Sequence, residues 1–197
     1  RHDFLKRGMW PEGLNMARDT LLKSNNIQGQ PQMDRLEGWS YWAPDEDMIL
    51  DAERQKSKTA FFVGCASSFK GVSIQSTIAM ALIMNKIGED FTMLGEEEYC
   101  CGATMIMSCD FETARALALH NIEEYQKLGV EHVVTNCPGC YKMWDHEYHE
   151  FLDIDPPFEI HYGPAYFADL LDDGRFNGLL TNPLDKTITF HDGCDAG

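Results

Sequence analysis

The sequence has few basic residues and no long apolar run. Its 197 residues include 16 lysines and arginines against 32 aspartates and glutamates, a formal net charge of −16. Nucleic acids and anionic membrane surfaces both require basic patches, so this balance excludes them as direct partners. The absence of a stretch of about 18 apolar residues excludes a membrane-spanning helix in this sequence. A glycine-rich phosphate loop and a nucleotide-binding fingerprint are also absent, so chemistry with a bound nicotinamide is not expected.

Seven cysteines are present, and five of them form one pattern. Cys65 comes first, the pair Cys100–Cys101 follows after 34 residues, and Cys137 and Cys140 begin after another 35. An odd number with two direct neighbours indicates metal or redox chemistry in a reducing compartment rather than a disulfide framework. Two adjacent cysteines strain the backbone if both bind one tetrahedral ion, but they readily reach different irons of one cluster. The pattern therefore favours a polynuclear iron–sulfur site over a single ion.

From residue 58 onward, short apolar strands alternate with helical patterns, which is typical of an α/β fold with a mostly parallel sheet and flanking helices. The predicted strands are Thr59–Gly64, Phe91–Leu94, His132–Thr135, Phe158–Tyr162 and Thr187–His191. The predicted helices are 72–87, 111–128 between an Asp110 N-cap and Gly129, a helix that opens at Pro138, and 164–172. Because Cys65 and Cys137 directly follow strands, they are expected to converge at the carboxyl edge of the sheet.

Residues 1–57 differ from the rest because they contain no cysteine and many Gly or Pro breaks. Only 12–24 has a helical pattern, and the segment ending in the aromatic residues 39–42 and Pro44 is predicted to be an extended arm. The chain begins at Arg1 without a methionine, so we interpret it as a fragment of a longer protein. Residues 1–57 are then a connector from a ferredoxin-like N-terminal domain outside this sequence.

Three short motifs resemble the cysteine-rich CCG domain of heterodisulfide reductase catalytic subunits and related iron–sulfur oxidoreductases. They are Gly64-Cys65, Cys100-Cys101-Gly102 and Cys137-Pro138-Gly139-Cys140. The resemblance covers about residues 58–197, and this combination of motifs is hard to obtain by chance. It implies a Rossmann-like fold and a noncubane [4Fe-4S] cluster. The implied metal ligands are Cys65, Cys100, Cys101, Cys137 and Cys140.

The residues beside the cysteines agree with that implication. Gly64, Gly102 and Gly139 let the backbone approach a cluster without a Cβ atom and can donate N–H groups to its sulfurs, so they are predicted to be cofactor-binding. Free N–H groups at the start of the helix that opens at Pro138 would favour an anionic cluster. The carboxylates of Glu96, Glu97 and Glu98 would oppose the effect of these N–H groups on a cluster, and they are therefore expected to point to solvent.

A second copy of the motif is predicted to begin near the end of the sequence. Phe190–Cys194 parallels Phe61–Cys65, so residues 58–183 are predicted to be the first of two tandem CCG repeats and 184–197 the start of the second. Relatives with two motifs hold two clusters, which implies Cys194 as the first ligand of a second cluster. His191 is a candidate catalytic proton donor to a cleaved sulfur, with packing near that cluster as the alternative.

Zinc and structural disulfides are the alternatives for the cysteines. Cys137 and Cys140 with His146 and His149 have the ligand types of a Cys2His2 zinc site, but this grouping leaves the adjacent pair unexplained. The two histidines otherwise read as surface residues of an acidic helix. Cys109 is interpreted as a small buried hydrophobe. The run 105–107 is interpreted as core, with packing against the cluster as an equal alternative.

The resemblance implies an oxidoreductase that transfers electrons to or from a disulfide or thiol substrate. Electrons would come from a ferredoxin-type domain or subunit, and ultimately from a membrane cytochrome, a flavoprotein or a hydrogenase subunit. The expected location is cytoplasmic, including attachment to the cytoplasmic face of a membrane through a partner subunit. Two alternatives stay open: an electron conduit in a lactate- or glycolate-oxidising complex, and a zinc-stabilised assembly module without a redox role.

Overall fold

A four-stranded parallel sheet organises the protein. The computed structural model describes residues 2–9, 11–180 and 182–189, without the side chains of His2 and Leu5. The strands are β1 Thr59–Phe61, β2 Phe91–Thr92, β3 His132–Thr135 and β4 Glu159–Tyr162. They pair in the order β2-β1-β3-β4, and every pair is parallel. The predicted α/β, Rossmann-like fold with a mostly parallel sheet is confirmed.

Helices cover both faces of the sheet. They are α1 His2–Lys6, α2 Glu12–Ser24, α3 Asp34–Ser40, α4 Glu46–Asp51, α5 Cys65–Phe69, α6 Ile74–Lys86, α7 Ala103–Ser108, α8 Phe111–Leu128, α9 Pro138–Lys142, α10 Tyr148–Leu152 and α11 Gly163–Asp172. A π-helical turn, Met143–Glu147, joins α9 to α10, and 3₁₀ turns lie at Gly71–Ser73 and Gly95–Glu97. Within the described residues, no helix has the length and apolar character that crossing a membrane requires.

The two central strands, β1 and β3, contribute to two hydrophobic cores because successive side chains in a strand point to opposite faces of the sheet. Phe62 and Val133 lie in the core formed with α2, α7, α8 and α10. Phe61 and Val134 lie in the core formed with α3, α4 and α6. The centre of the sheet is therefore buried on both sides, whereas the edge strand β4 is partly exposed.

Two helices have the predicted bounds. Helix α2 spans Glu12–Ser24, and α8 spans Phe111–Leu128. The Asp110 side chain accepts a hydrogen bond from the Thr113 N–H at the start of α8, which satisfies one of the free amide groups there. Gly129, at φ 80°, ends α8 in the left-handed conformation that glycine adopts at low cost.

The prediction of an extended arm up to Pro44 was wrong. Helix α3 spans Asp34–Ser40, residues 41–44 form turns, and α4 begins at Glu46. Trp39 and Ile49 are fully buried in the same core as Phe61, while Tyr41 and Trp42 are exposed. These helices are too short to be stable alone, so packing against the sheet stabilises them, and such packing leaves little periodic signal in the sequence.

The C-terminal strand was also predicted incorrectly in the part that can be compared. Thr187, Ile188 and Thr189 have no regular secondary structure. Residues 190–197, which include His191 and Cys194, lie outside the described residues. The proposed start of a second repeat therefore stays a prediction.

Candidate metal centre

The five cysteines of the motif come together at the carboxyl edge of the sheet. Cys65 begins α5 just after β1, and Cys137 immediately precedes α9 after β3, the strand next to β1. Cys100 and Cys101 follow β2 and its 3₁₀ turn, and Cys140 lies one helical turn into α9. The loops converge because parallel strands end at the same edge.

The thiols form an extended series of contacts. Neighbouring thiols hydrogen-bond in the order Cys65, Cys100, Cys101, Cys140 and Cys137. Cys140 Sγ lies 3.5 Å from Cys101 Sγ. In the described part of the chain, no three of the five sulfurs lie within 4.8 Å of one another. Around one tetrahedral zinc ion, sulfurs about 2.3 Å from the metal all lie within about 4 Å of each other. The set therefore extends further than the ligands of one ion.

Hydrogen bonds among the thiols separate their pKa values. The Cys140 thiol and the backbone N–H groups of Cys140 and Gly139 lower the pKa of Cys137 to about 6. The thiols of Cys100 and Cys140 lower the pKa of Cys101. Hydrogen bonding to Cys101 and burial raise the pKa of Cys100 to about 12. Cys101 and Cys137 are thus the sites that most readily form thiolates, which are the metal-binding form of cysteine.

The three predicted glycines have different roles. Gly64 has φ +79°, and a Cβ atom there would lie 2.9 Å from Cys140 Sγ, so only glycine fits between the two strand-end loops. Gly102 has φ +85°, and its N–H donates to Cys100 Sγ at 3.5 Å. A Cβ atom added at Gly139 would meet no atom within 4 Å, and the contribution of this residue is the N–H directed at Cys137.

Arg35 was not predicted from the sequence, and it contacts the centre directly. Its side chain is 2% exposed, and its Nη2 donates to Cys65 Sγ at 3.5 Å. Within the described residues, the Arg35 Nε and the Tyr125 hydroxyl are buried without hydrogen-bond partners. A guanidinium beside several thiolates offsets their negative charge. Together with the cysteine donor set, the charge of Arg35 at Cys65 fits an anionic group held by the thiols.

The expectation that the carboxylate of Glu98 points to solvent was wrong. Glu98 is 1% exposed, and its Oε1 lies 2.8 Å from Arg35 Nη1. Its carboxylate also accepts hydrogen bonds from the N–H groups of Val63 and Gly64. Burial raises the pKa of Glu98, and Arg35 and these two N–H groups limit the rise. The Phe62 N–H still donates to the Val134 carbonyl of β3, but the next two amides turn toward Glu98, so the chain leaves the sheet before the predicted end of the strand at Gly64.

Sequence reasoning missed Arg35 because it lies 30 residues before Cys65 in a segment without cysteine. The one available signal was a charged residue among the apolar positions of α3, next to Leu36 and four residues before Trp39. Glu98 had a better signal, since it is two residues before the double cysteine. Repulsion between a carboxylate and nearby thiolates predicts an exposed Glu98. That expectation failed because Arg35, the buried partner of Glu98, was not recognised.

The other residues considered as ligands or as core lie where they were expected, except Met107 and Cys109. His146 and His149 are exposed and pair with Glu150 and Asp155, as predicted for a surface helix, and they do not join Cys137 and Cys140. Met105 and Ile106 pack in the same core as the cysteines. Met107, by contrast, is exposed, and Cys109 is only half-buried.

Comparison with known proteins places these residues in a family. Residues 59–145 match the family described as CCG, cysteine-rich domain. The chain is 32% identical over 201 residues to one subunit of the dihydromethanophenazine:CoB–CoM heterodisulfide reductase of Methanosarcina barkeri, covering 100% of the chain and 46% of that protein. It is 28% identical over 201 residues to a probable iron-sulfur-binding oxidoreductase, FadF, of Bacillus subtilis, covering 100% of the chain and 28% of that protein.

A third relative is the EtfAB:quinone oxidoreductase of Syntrophomonas wolfei, 24% identical over 205 residues, with 95% of the chain and 28% of that protein covered. The chain spans less than half the length of each of these three relatives. No solved structure matches it significantly. The matched range includes all five cysteines that meet at the edge of the sheet. Residues 59–145, with the five cysteines that they contain, therefore match the family of CCG cysteine-rich domains.

Proposed function

We propose that this chain is the cluster-binding part of an iron–sulfur oxidoreductase related to heterodisulfide reductase. The cluster is a noncubane [4Fe-4S] group held by Cys65, Cys100, Cys101, Cys137 and Cys140. When bound, it supplies one-electron transfer to or from a disulfide or thiol substrate. The similarity to a heterodisulfide reductase supports this substrate class.

The extended series of buried thiols is the observation that carries the proposal. Five cysteines from three separate loops lie in contact, four of them are buried, and in the described residues they form no disulfide. Two of them are adjacent on the backbone, which favours binding to different metal atoms. The sulfurs also reach further than the ligands of a single zinc ion do. A polynuclear cluster is the group that fits both properties.

The other residues of the site orient and balance these ligands. Gly64 leaves room for Cys140, and the N–H groups of Gly102 and Gly139 donate to sulfur. Arg35 holds a positive charge against Cys65. The Tyr148 hydroxyl donates to the Cys101 carbonyl at 2.9 Å and fixes the backbone of the cysteine pair. N–H···S bonds and a nearby cation both favour the reduced, more negative form of a cluster.

Reduction of a disulfide to two thiols consumes two electrons and two protons. We propose a ferredoxin-type domain or subunit as the immediate electron donor, with a membrane cytochrome, a flavoprotein or a hydrogenase subunit further upstream. A second cluster with Cys194 as a ligand would complete the disulfide site, and His191 is the proposed proton donor there. Both residues belong to the proposed second CCG repeat at 184–197.

An electron conduit without its own substrate is the second candidate function. Four of the five cysteines are buried, and only Cys137 is half-buried, so the described residues leave the sulfurs little direct access to a bulky substrate. The lactate- and glycolate-oxidising systems predicted as alternatives use such a subunit between other redox centres. A paramagnetic signal that changes when thiol or disulfide is added would favour substrate chemistry, and an unchanged signal would favour conduction.

The ligand assignment is tested by Cys101→Ser in the complete protein, purified without oxygen. We expect this variant to lose or convert the cluster, with a lower iron content and a changed electron paramagnetic resonance spectrum. Cys109→Ser is the matched control, because Cys109 follows the same loop but lies outside the five-cysteine set. Its iron content and spectrum should equal those of the unmodified protein.

Three results would count against the proposal. Unchanged iron and spectrum in Cys101→Ser would remove this cysteine from the ligand set. Zinc bound through the cysteine thiolates and no iron in the anaerobic protein would favour the zinc-stabilised assembly module instead. Equal losses in both serine variants would indicate a general folding effect, and would therefore also count against a specific role for Cys101.

A further inference from the structure

A second group of metal-binding side chains lies at the other edge of the sheet. His132 is the first residue of β3, and Glu159 and His161 lie at the first and third positions of β4. The cysteines follow the carboxyl ends of the strands, whereas His132 and Glu159 are the first residues of their strands and His161 lies within β4. Neither the family resemblance nor the proposed cluster assigns them a role.

The strand pairing places the three side chains on one face. His132 is the register partner of Glu159, so their side chains are direct neighbours across the parallel pair. His161 is two residues after Glu159 and therefore points to the same face of the sheet. Backbone pairing, rather than the conformation of flexible surface side chains, brings these residues together.

The donor atoms meet at distances that suit one metal ion. His132 Nδ1 lies 3.2 Å from His161 Nε2 and 3.2 Å from Glu159 Oε2, and the third distance, from His161 Nε2 to Glu159 Oε2, is 3.9 Å. Ligands about 2.0–2.1 Å from a tetrahedral zinc ion are about 3.3–3.4 Å apart. Among the described residues, this is the one group of three His, Cys, Asp or Glu side chains whose donor atoms all lie within 4.8 Å.

Protons alone satisfy this group poorly. His132 Nδ1 faces both the His161 nitrogen and the Glu159 oxygen, but it carries at most one hydrogen, which can point at only one of them. The other contact then has no directed hydrogen bond from this atom, and an Nδ1 without hydrogen would likewise direct its one lone pair at only one neighbour. A cation at the centre would accept all three lone pairs at once. Two histidines and one carboxylate are also a common ligand set for zinc and for iron(II).

A cavity beside the group leaves room for a fourth ligand. His132 and His161 line a cavity of about 430 Å³ that also contains Glu89 and Tyr166. Both histidines are half-buried, and Glu159, which is not among the residues that line the cavity, is exposed. A water molecule or an oxygen of a small ligand could therefore complete a tetrahedral shell from the cavity side.

We propose that His132, Glu159 and His161 form a mononuclear site for a divalent transition-metal ion that is separate from the cysteine centre. The ion would join the edge strand β4 to β3 and leave one coordination position open to the cavity. The proposal does not depend on the cluster, because none of its three ligands comes from the cysteine loops.

Cobalt(II) binding to the cluster-loaded complete protein tests the site under anaerobic conditions. We expect one cobalt per chain with the visible absorption of a tetrahedral nitrogen- and oxygen-ligated ion, and without a thiolate-to-cobalt charge-transfer band. His161→Ala should weaken binding at least about 100-fold, since even changes around metal ligands commonly cost 10–100-fold. Zinc(II) should displace the cobalt from the unmodified protein.

His149→Ala is the matched control, because His149 is an exposed histidine that pairs with one carboxylate outside the group. It should bind cobalt as the unmodified protein does. Glu159→Gln provides a second variant at an exposed position, where misfolding is not expected, and should also bind more weakly. The electron paramagnetic resonance spectrum of the cluster, measured in every variant, reports folding and the cysteine centre independently. Equal cobalt affinity in His161→Ala and His149→Ala, or a thiolate band in the bound spectrum, would overturn the proposal.

Discussion

Gly64 directly precedes α5 and Gly139 is the second residue of α9, and the space around the two glycines differs. At Gly64 both the backbone conformation, with φ 79° and ψ 157°, and the nearby Cys140 sulfur require the absence of a Cβ atom. At Gly139 an added Cβ would meet no atom within 4 Å. The same residue type thus has a steric role at one position and a hydrogen-bonding role at the other.

We therefore predict that Gly64→Ala is destabilising and Gly139→Ala is not. The backbone region of Gly64 costs other residues about 1–3 kcal/mol, and the close contact with Cys140 adds to this. Gly139→Ala should change the free energy of unfolding by less than about 0.5 kcal/mol. Chemical denaturation and iron content of both variants measure the difference, and equal losses in the two would contradict the steric role of Gly64.

The buried pair of Arg35 and Glu98 connects the N-terminal helices to the cysteine site. Removing either partner leaves the other charge buried without compensation, at a cost of about 3–5 kcal/mol. We expect Arg35→Met and Glu98→Gln each to lower the free energy of unfolding by that amount. The double variant should lose clearly less than the sum, because it buries no isolated charge. A double-mutant cycle measured by denaturation checks this, and simple additivity would show that the two side chains act independently.

At the scale of elements, specific residues in the sequence determine where helix α8 begins. Helix α8 starts with Asp110, whose carboxylate accepts hydrogen bonds from both the backbone and the hydroxyl of Thr113. Its residues Ala114 and Leu117 lie in the same hydrophobic core as the buried cysteines. A Cβ at Gly102 would come within 3.3 Å of Ala114 Cα, so the start of this helix also constrains the double-cysteine loop.

We predict that Asp110→Ala lowers the free energy of unfolding by about 0.5–2 kcal/mol, the usual cost of losing an N-cap. Asp110→Asn keeps an acceptor at the same position and should restore most of that stability. Thermal or chemical denaturation of the two variants is the measurement. An equal loss in the asparagine variant would mean that the charge of Asp110, and not its cap, is what stabilises the helix.

At the scale of the whole molecule, the N-terminal segment is part of the packed structure. Leu21, Trp39 and Ile49 are fully buried, and the Cys100 N–H donates to the Asn25 carbonyl at 2.8 Å. Burial of each large apolar side chain contributes about 1.5–3 kcal/mol. Their sum is comparable with the total stability of a typical domain, about 5–15 kcal/mol.

A chain that lacks residues 1–57 should therefore lose its cooperative unfolding transition and its iron. Removal of residues 1–11 is the control, because the described side chains of that segment are exposed. The shorter deletion should leave both properties nearly unchanged. Calorimetry and metal analysis of the two truncated proteins provide the comparison. A cooperative transition in the protein without 1–57 would support the original interpretation of that segment as a connector.

Local patterns predicted those features that depend on neighbours in the sequence. The bounds of α2 and α8, the cap at Asp110 and the strand His132–Thr135 all follow from short-range periodicity and turn chemistry. The convergence of Cys65 and Cys137 also follows, because strand ends in a parallel sheet lie at one edge. Strand Thr59–Gly64 was predicted too long, since its last amides bond to Glu98, which is 34 or more residues away.

The sequence by itself determined the α/β class, the five cysteines and the family, because these depend on residue identity and spacing. Only the tertiary structure decided which charges lie beside the sulfurs and which histidines meet across β3 and β4. Arg35 and Glu98 are 63 residues apart, and His132 and His161 are 29 apart. Contacts at such separations arise from the packing of helices and the register of strands, and no local pattern of apolar and polar residues records them.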